Sequence, residues 1–192
     1  PAAWKQKIQV DLKGADYNDS LIWKSNEAIH IKPFYTAEDR HNNNVCLPKD
    51  GYKICQSIFV DDVFIANKIA IDSLERGATA IQFLAKNTFD YTVLFNKIDT
   101  KQTHIYLNFE FLDAAFISEI EKYCKGNYIY FQIDIIGNLA KTGNWFSNLN
   151  ADISEKAKFI HTVANSICVD ASLYQNAGAT IIQELAYALA HT

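Results

Sequence analysis

The chain has 192 residues, 49% of them hydrophobic and 21% charged, with 18 Lys and Arg against 22 Asp and Glu and only 7 Gly and 3 Pro. Intrinsic disorder requires lower hydrophobicity or a larger charge imbalance, and collagen-like or linker-rich chains carry far more Gly and Pro, so both classes are excluded. The acidic balance, with Arg40 and Arg76 as the only arginines, also argues against nucleic-acid binding, which favours a basic face and bidentate guanidinium contacts to phosphate.

One or two domains fit this length, with a core large enough to need no disulfide or metal. No apolar run approaches the roughly 18 residues of a membrane span. The opening PAAWKQKIQVDLKGAD lacks the basic-then-apolar order of a secretory signal. The expectation is a cytoplasmic protein without membrane contact. Cys46, Cys55, Cys124 and Cys168 form neither a C-x-x-C pair nor a zinc-type cluster, and are expected to be reduced and mostly buried.

Residues 1–52 follow no regular rhythm and are taken as an N-terminal extension with one short helix at most. Trp4, Leu12, Tyr17, Leu21 and Trp23 stand there in an otherwise polar stretch. Exposed together they would form an apolar patch of a kind monomers seldom show, so this arm either folds back on the domain that follows or contacts a partner.

From residue 53 onward, short apolar runs alternate with amphipathic stretches of three-to-four residue period, the pattern of parallel βα units. The first strand is predicted over Lys53 to Val60, with Asp61 and Asp62 as candidate N-caps. A helix then runs to Arg76, burying Ile65, Ala66, Ile69, Ala70 and Leu74, and stops at Gly77. The second strand covers Thr79 to Leu84 and leads into a weaker helix through Tyr91, Leu94 and Phe95. The third covers His104 to Phe109, followed by a helix that starts near Asp113, buries Phe116, Ile117, Ile120 and Cys124, and ends at Gly126.

The fourth strand, Tyr128 to Ile135, is almost continuously apolar, as for a strand covered on both faces. Residues 137–150 are predicted as a loop in which Trp145 and Phe146 pack over a strand end. Asp152 is read as the cap of the next helix, Ile167 to Asp170 as a short fifth strand, and residues 176–190 as one long apolar helix. About five βα units suit an open doubly wound sheet or a partial (β/α)8 TIM barrel, since a complete barrel normally needs about 250 residues.

Ligands of such folds meet the carboxyl ends of the strands, which singles out Glu110, Asp134 and Asp170. Three carboxylates at one rim could bind a metal or do acid–base work, or could simply cap loops. The histidines His30, His41, His104, His161 and His191 lie in scattered contexts without a nucleophile motif, and no phosphate-binding glycine loop occurs. Asp39-Arg40-His41 begins like a cobalt-ligating Asp-x-His-x-x-Gly run, but Asn44 stands in the glycine position.

Three stretches carry a resemblance: VDLKGADYNDSLIW at 10–23, IHIKPFYTAED at 29–39 and VDASLYQNAGATIIQELAYALA at 169–190. Together they resemble the acyl-CoA mutases of the methylmalonyl-CoA mutase family. The resemblance implies a barrel, about five of whose eight units lie in residues 53–192, preceded by the partner-contacting arm 1–52.

Catalytic chains of that family carry an R-G-x-Y-x-x-M-Y run followed by R-P-W, where this chain reads HNNNVCLPKDGYKICQSIFV. They also place a Tyr-His pair just ahead of the A-G-A helix, where Ser172 and Leu173 precede Ala177-Gly178-Ala179 here. Without those guanidinium, phenol and imidazole groups, the substrate's phosphates and carbonyl lose their hydrogen-bonding partners.

The departures imply the small, non-catalytic chain of the family's heterodimers, with a structural role, no catalytic, cofactor or metal residues of its own, and a large catalytic subunit as partner. Acyl-CoA would be met only through that partner, and adenosylcobalamin would belong to the holoenzyme, not to these residues. Trp4 and Trp23 would mark the arm that embraces the partner. The alternative is an active acyl-CoA mutase with a divergent site at Asp134, Asp170 or Tyr174.

Overall fold

The computed structural model of the chain describes residues 2–40, 49, 51–124 and 128–192. His41, Asn44, Cys46 and Gly126, singled out above, lie outside the described residues.

The N-terminal segment forms α1 (Ala2–Asp11), α2 (Tyr17–Leu21), an antiparallel pair β1 (Trp23–Lys24) and β2 (His30–Ile31), and a single 3-10 turn over Ala37–Asp39. Two helices therefore stand where one at most was expected. Local hydrogen bonding accounts for the second: the Asp16 carboxylate accepts the N–H groups of Asn18 at 2.7 Å and Asp19 at 3.1 Å, satisfying donors a helix start leaves free. No residue of 2–40 is buried.

The βα rhythm produces a four-stranded parallel sheet. β3 (Cys55–Phe59), β4 (Ala80–Ala85), β5 (His104–Phe109) and β6 (Ile129–Gln132) lie side by side in chain order. α3 (Val63–Glu75), α4 (Tyr91–Leu94) and α5 (Ala114–Cys124) carry the chain between them. Asp62 and Asp90 cap α3 and α4, each accepting two backbone N–H groups. Along α5 the predicted stripe Phe116, Ile117, Ile120 and Cys124 is buried.

In α3 only Ala66 and Ala70 of the predicted stripe are fully buried, with Leu74 packing at the margin. Ile65 and Ile69 sit one position earlier, about 100° round the helix, and are 58% and 45% exposed.

The sheet has one covered and one open face. Ile58, Phe83, Leu107 and Phe131 are paired in register and buried beneath the helices. Alternate residues, Gln82, Tyr106, Asn108, Tyr130 and Gln132, are only half-buried. This corrects the expectation for the fourth strand: β6 is apolar on one face only, because Tyr130 and Gln132 belong to the open side. Cys55 is exposed on the edge strand β3, unlike the buried Cys124.

Beyond β6 the chain departs further from prediction. α6 (Ile135–Thr142) occupies much of the expected loop, because Asp134 accepts the Gly137 N–H at 2.7 Å and so starts a helix there. Phe146 does pack against the core. α7 (Leu149–Ala157) is capped by Asn148, not Asp152. Asp152 lies inside the helix, 1% exposed, and accepts the N–H groups of Phe146 at 2.8 Å and Ser147 at 3.0 Å.

The predicted fifth strand, Ile167 to Asp170, does not join the ladder. The chain touches β6 through Asn165, whose carbonyl accepts the Phe131 N–H at 3.0 Å. The Lys156 ammonium then inserts between the carbonyls of Ile133 (2.5 Å) and Ser166 (3.0 Å), taking the place of strand-to-strand bonds. The helix expected over residues 176–190 starts only at α9 (Ile181–His191), and a short α8 (Ser172–Asn176) that was not expected precedes it. Gly178, at φ +93°, turns the chain, and Thr180 with Gln183 forms a capping box that begins α9.

Candidate functional site at the carboxyl ends of the strands

A cavity of about 540 Å³ opens where β4, β5 and β6 end. Gln82, Asn108 and Gln132 form its floor, one from each strand; Asp134, Asn138, Lys141 and Thr142 form one wall; Cys168, Val169, Asp170 and Leu173 form the other. Glu110 and Phe146 stand at its mouth, where it adjoins a second hollow that includes Trp145. The three strand-end carboxylates singled out from sequence, Glu110, Asp134 and Asp170, thus line one cavity.

Two of the three already have structural employment. Asp134 caps α6, accepts a weak bond from the Asp170 N–H at 3.4 Å, and meets His191 Nε2 at 2.8 Å. Asp170 accepts both the N–H and the hydroxyl of Ser172, at 3.2 and 2.6 Å, which fixes the entry to α8. Glu110 is exposed. Gly137 is required by close approach: a Cβ there would lie 2.3 Å from Asp134 Oδ2 and 2.6 Å from its Cγ.

His191, predicted to stand apart, is held at both ring nitrogens. The Tyr174 hydroxyl lies 3.0 Å from Nδ1, so a continuous Tyr174–His191–Asp134 chain joins α8, the end of α9 and the cavity wall. The His191 side chain is 4% exposed. The pair contact is separated by 57 positions in sequence, and no local motif announces it.

The floor was also missed. Ser57 Oγ donates to Gln82 Oε1 at 2.8 Å, and Gln82 Nε2 donates to Gln132 Oε1 at 2.7 Å, a polar row across the open face. Beside it His104, Tyr130 and Tyr106 stack, with ring centroids 5.8 and 4.9 Å apart. The available signal was the strand period of two, which places Gln82, Asn108 and Gln132 on one face.

Electrostatically the site is acidic, with Lys141 the only ammonium lining it among the described residues and neither arginine present. Behind the wall, burial pulls the Lys156 amine below its usual range while Asp134 acts the other way. Burial and then the neighbouring Asp134 push the Cys168 thiol up, so it is held as a neutral thiol. Among the described residues no group of three or more His, Cys, Asp or Glu side chains is placed to hold a metal ion. Asp39 of the cobalt-like run is engaged by Lys32 at 2.5 Å and by the Thr36 N–H at 3.0 Å.

The arm's aromatic residues are not buried against the sheet. Trp4 packs on Phe34 with centroids 3.8 Å apart, and Trp23 is 65% exposed. The Ile181 N–H donates to Glu27 at 3.4 Å, linking the arm to the start of α9. No described helix is long and apolar enough to cross a membrane.

No family model matches the chain. The chain is similar to the methylmalonyl-CoA mutase small subunit of Porphyromonas gingivalis, with 28% identity over 221 residues, covering 98% of this chain and 35% of the relative. It thus spans about a third of the length of the curated relative it matches. The resemblance drawn from the three sequence stretches and this similarity point to the same kind of protein.

Proposed function

We propose that residues 53–192 form an arc of a (β/α)8 barrel that acts as a non-catalytic, stabilising part of an acyl-CoA mutase assembly, with a larger catalytic chain as its partner. The chain-order parallel sheet, with helices on one face and a polar row on the other, supports the barrel arc. The similarity to a methylmalonyl-CoA mutase small subunit supports the role. The observation that carries the reading is the cavity: three carboxylates, no arginine, and Leu173 in its wall.

A CoA thioester is anionic, and bidentate guanidinium contacts are the usual means of holding its phosphates. A cavity with an acidic lining repels that ligand, and Leu173 offers a carbonyl no hydrogen bond. The methylmalonyl-CoA and succinyl-CoA interconversion would therefore fall to the partner, and adenosylcobalamin would enter the assembly with it. The arm 1–52, whose Trp23 is unburied, is the surface proposed to embrace the partner.

One observation favours the alternative of an active mutase with a divergent site: the Tyr174–His191–Asp134 chain ends on a cavity carboxylate. Co-expression with a large mutase chain decides between the readings. Co-purification, with turnover only when both chains are present, is the expected result. Turnover of methylmalonyl-CoA by this chain with adenosylcobalamin alone would establish the alternative, and failure to co-purify would remove the assembly role.

A further inference from the structure

We propose that the strand-end cavity is itself a binding site for a neutral, hydroxyl-rich small molecule of monosaccharide or polyol size. This does not rest on the assembly reading; it rests on what the cavity leaves unpaired. Gln82 is engaged at both ends of its amide, by Ser57 at Oε1 and by Gln132 at Nε2. The Asn108 amide and Gln132 Nε2, which line the same floor, have no hydrogen-bond partner among the described residues. They offer donors and an acceptor side by side. Glu110 and the second oxygen of Asp170 add acceptors round the rim, and Lys141 adds a donor.

A hydroxyl group both donates and accepts, so several on one small ring can satisfy carboxylates and amide N–H groups together. An apolar ligand would strand the floor amides without partners, at a cost that opposes binding. An anion would face three carboxylates with one ammonium to offset them. Phe146 and Leu173 supply apolar wall for the C–H face of a ring. The volume of about 540 Å³ lies in the usual range for small-ligand sites.

The test is a titration of the 192-residue chain, followed by proton–nitrogen NMR correlation spectra, with D-glucose and myo-inositol as neutral probes and inorganic phosphate and coenzyme A as anionic ones. Saturable shifts at Asn108, Glu110, Gln132 and Lys141 with at least one neutral probe, and weaker ones with both anions, are expected. Asn108→Leu and Gln132→Leu should each weaken that binding about tenfold. Unchanged amide signals from Ile105 and Phe131 would show the sheet intact. If a floor variant loses its dispersed spectrum, Lys141→Gln on the exposed face of α6 replaces it, with an expected loss of about threefold. Absence of saturable shifts with both neutral probes, tighter binding of either anion, or full affinity in the folded variants would overturn the proposal.

Discussion

Every buried residue among those described lies between Ile58 and Ser166, whereas segments 2–40 and 167–192 bury none. The two regions are nonetheless similarly helical, and the flanks are not poor in apolar side chains: Trp23, Ile29, Ile181, Ile182, Leu185 and Leu189 are all exposed. The body is therefore held by removal of apolar surface from water, the flanks by caps and side-chain hydrogen bonds. Helices draw most of their stability from packing an apolar face. The flanks have the sequence for such packing without its realisation in the described chain.

The sharpest test of this contrast is a pair of aromatic truncations. Phe131→Ala, at a fully buried site, should cost about 3–5 kcal/mol in urea unfolding, while Trp23→Ala in the arm should change stability by no more than about 0.5 kcal/mol. Equal costs would break the distinction.

Next in size is Asp152→Ala, expected to destabilise by about 2–4 kcal/mol because it strands two backbone donors beneath the 146–147 turn. Asp152→Asn should recover part of the loss, since its amide oxygen still accepts one of them. His191→Ala should cost about 1–2 kcal/mol, with hydrogen exchange accelerating in α8 and α9 but not in β4 or β5. Acceleration throughout the sheet would mean that the C-terminal flank and the body unfold as one.

The smallest effects are local. Thr180→Ala should cost α9 about 1 kcal/mol, read as faster exchange in its first turn only. At Cys124, burial and then the neighbouring Glu121 push the thiol up to about 12. Alkylation at pH 8 should therefore spare Cys124 in the folded protein and reach it after unfolding. Because the folded value is raised, the associated stability is present below the unfolded thiol's pKa near 9 and is lost as pH climbs from there toward 12.

The body was largely legible. His104–Phe109 forms the predicted strand, Asp62 caps α3, and the α5 stripe is buried, because covered strands and packed helices impose a period on the sequence. The strand-end rule likewise brought Glu110, Asp134 and Asp170 to one cavity.

What failed to show was local chemistry overriding composition. An Asn- and Gly-rich stretch became α6 because Asp134 caps it, and the helix expected from residue 176 starts only after Gly178, where the Thr180-x-x-Gln183 box begins α9. The fifth strand was displaced by the Lys156 ammonium, and the Tyr174–His191–Asp134 chain depends on distant segments meeting. No periodicity encodes either event.

The close approach of position 137 to Asp134 makes these two sites an inherited pair. While the aspartate keeps its place, any side chain at 137 must evict it, unseating the start of α6 and the anchor of His191 in a single mutational step. Gly137→Ala should consequently be tolerated better in an Asp134→Ala background than alone, a dependence on genetic context that a survey of single substitutions would record only as intolerance at both.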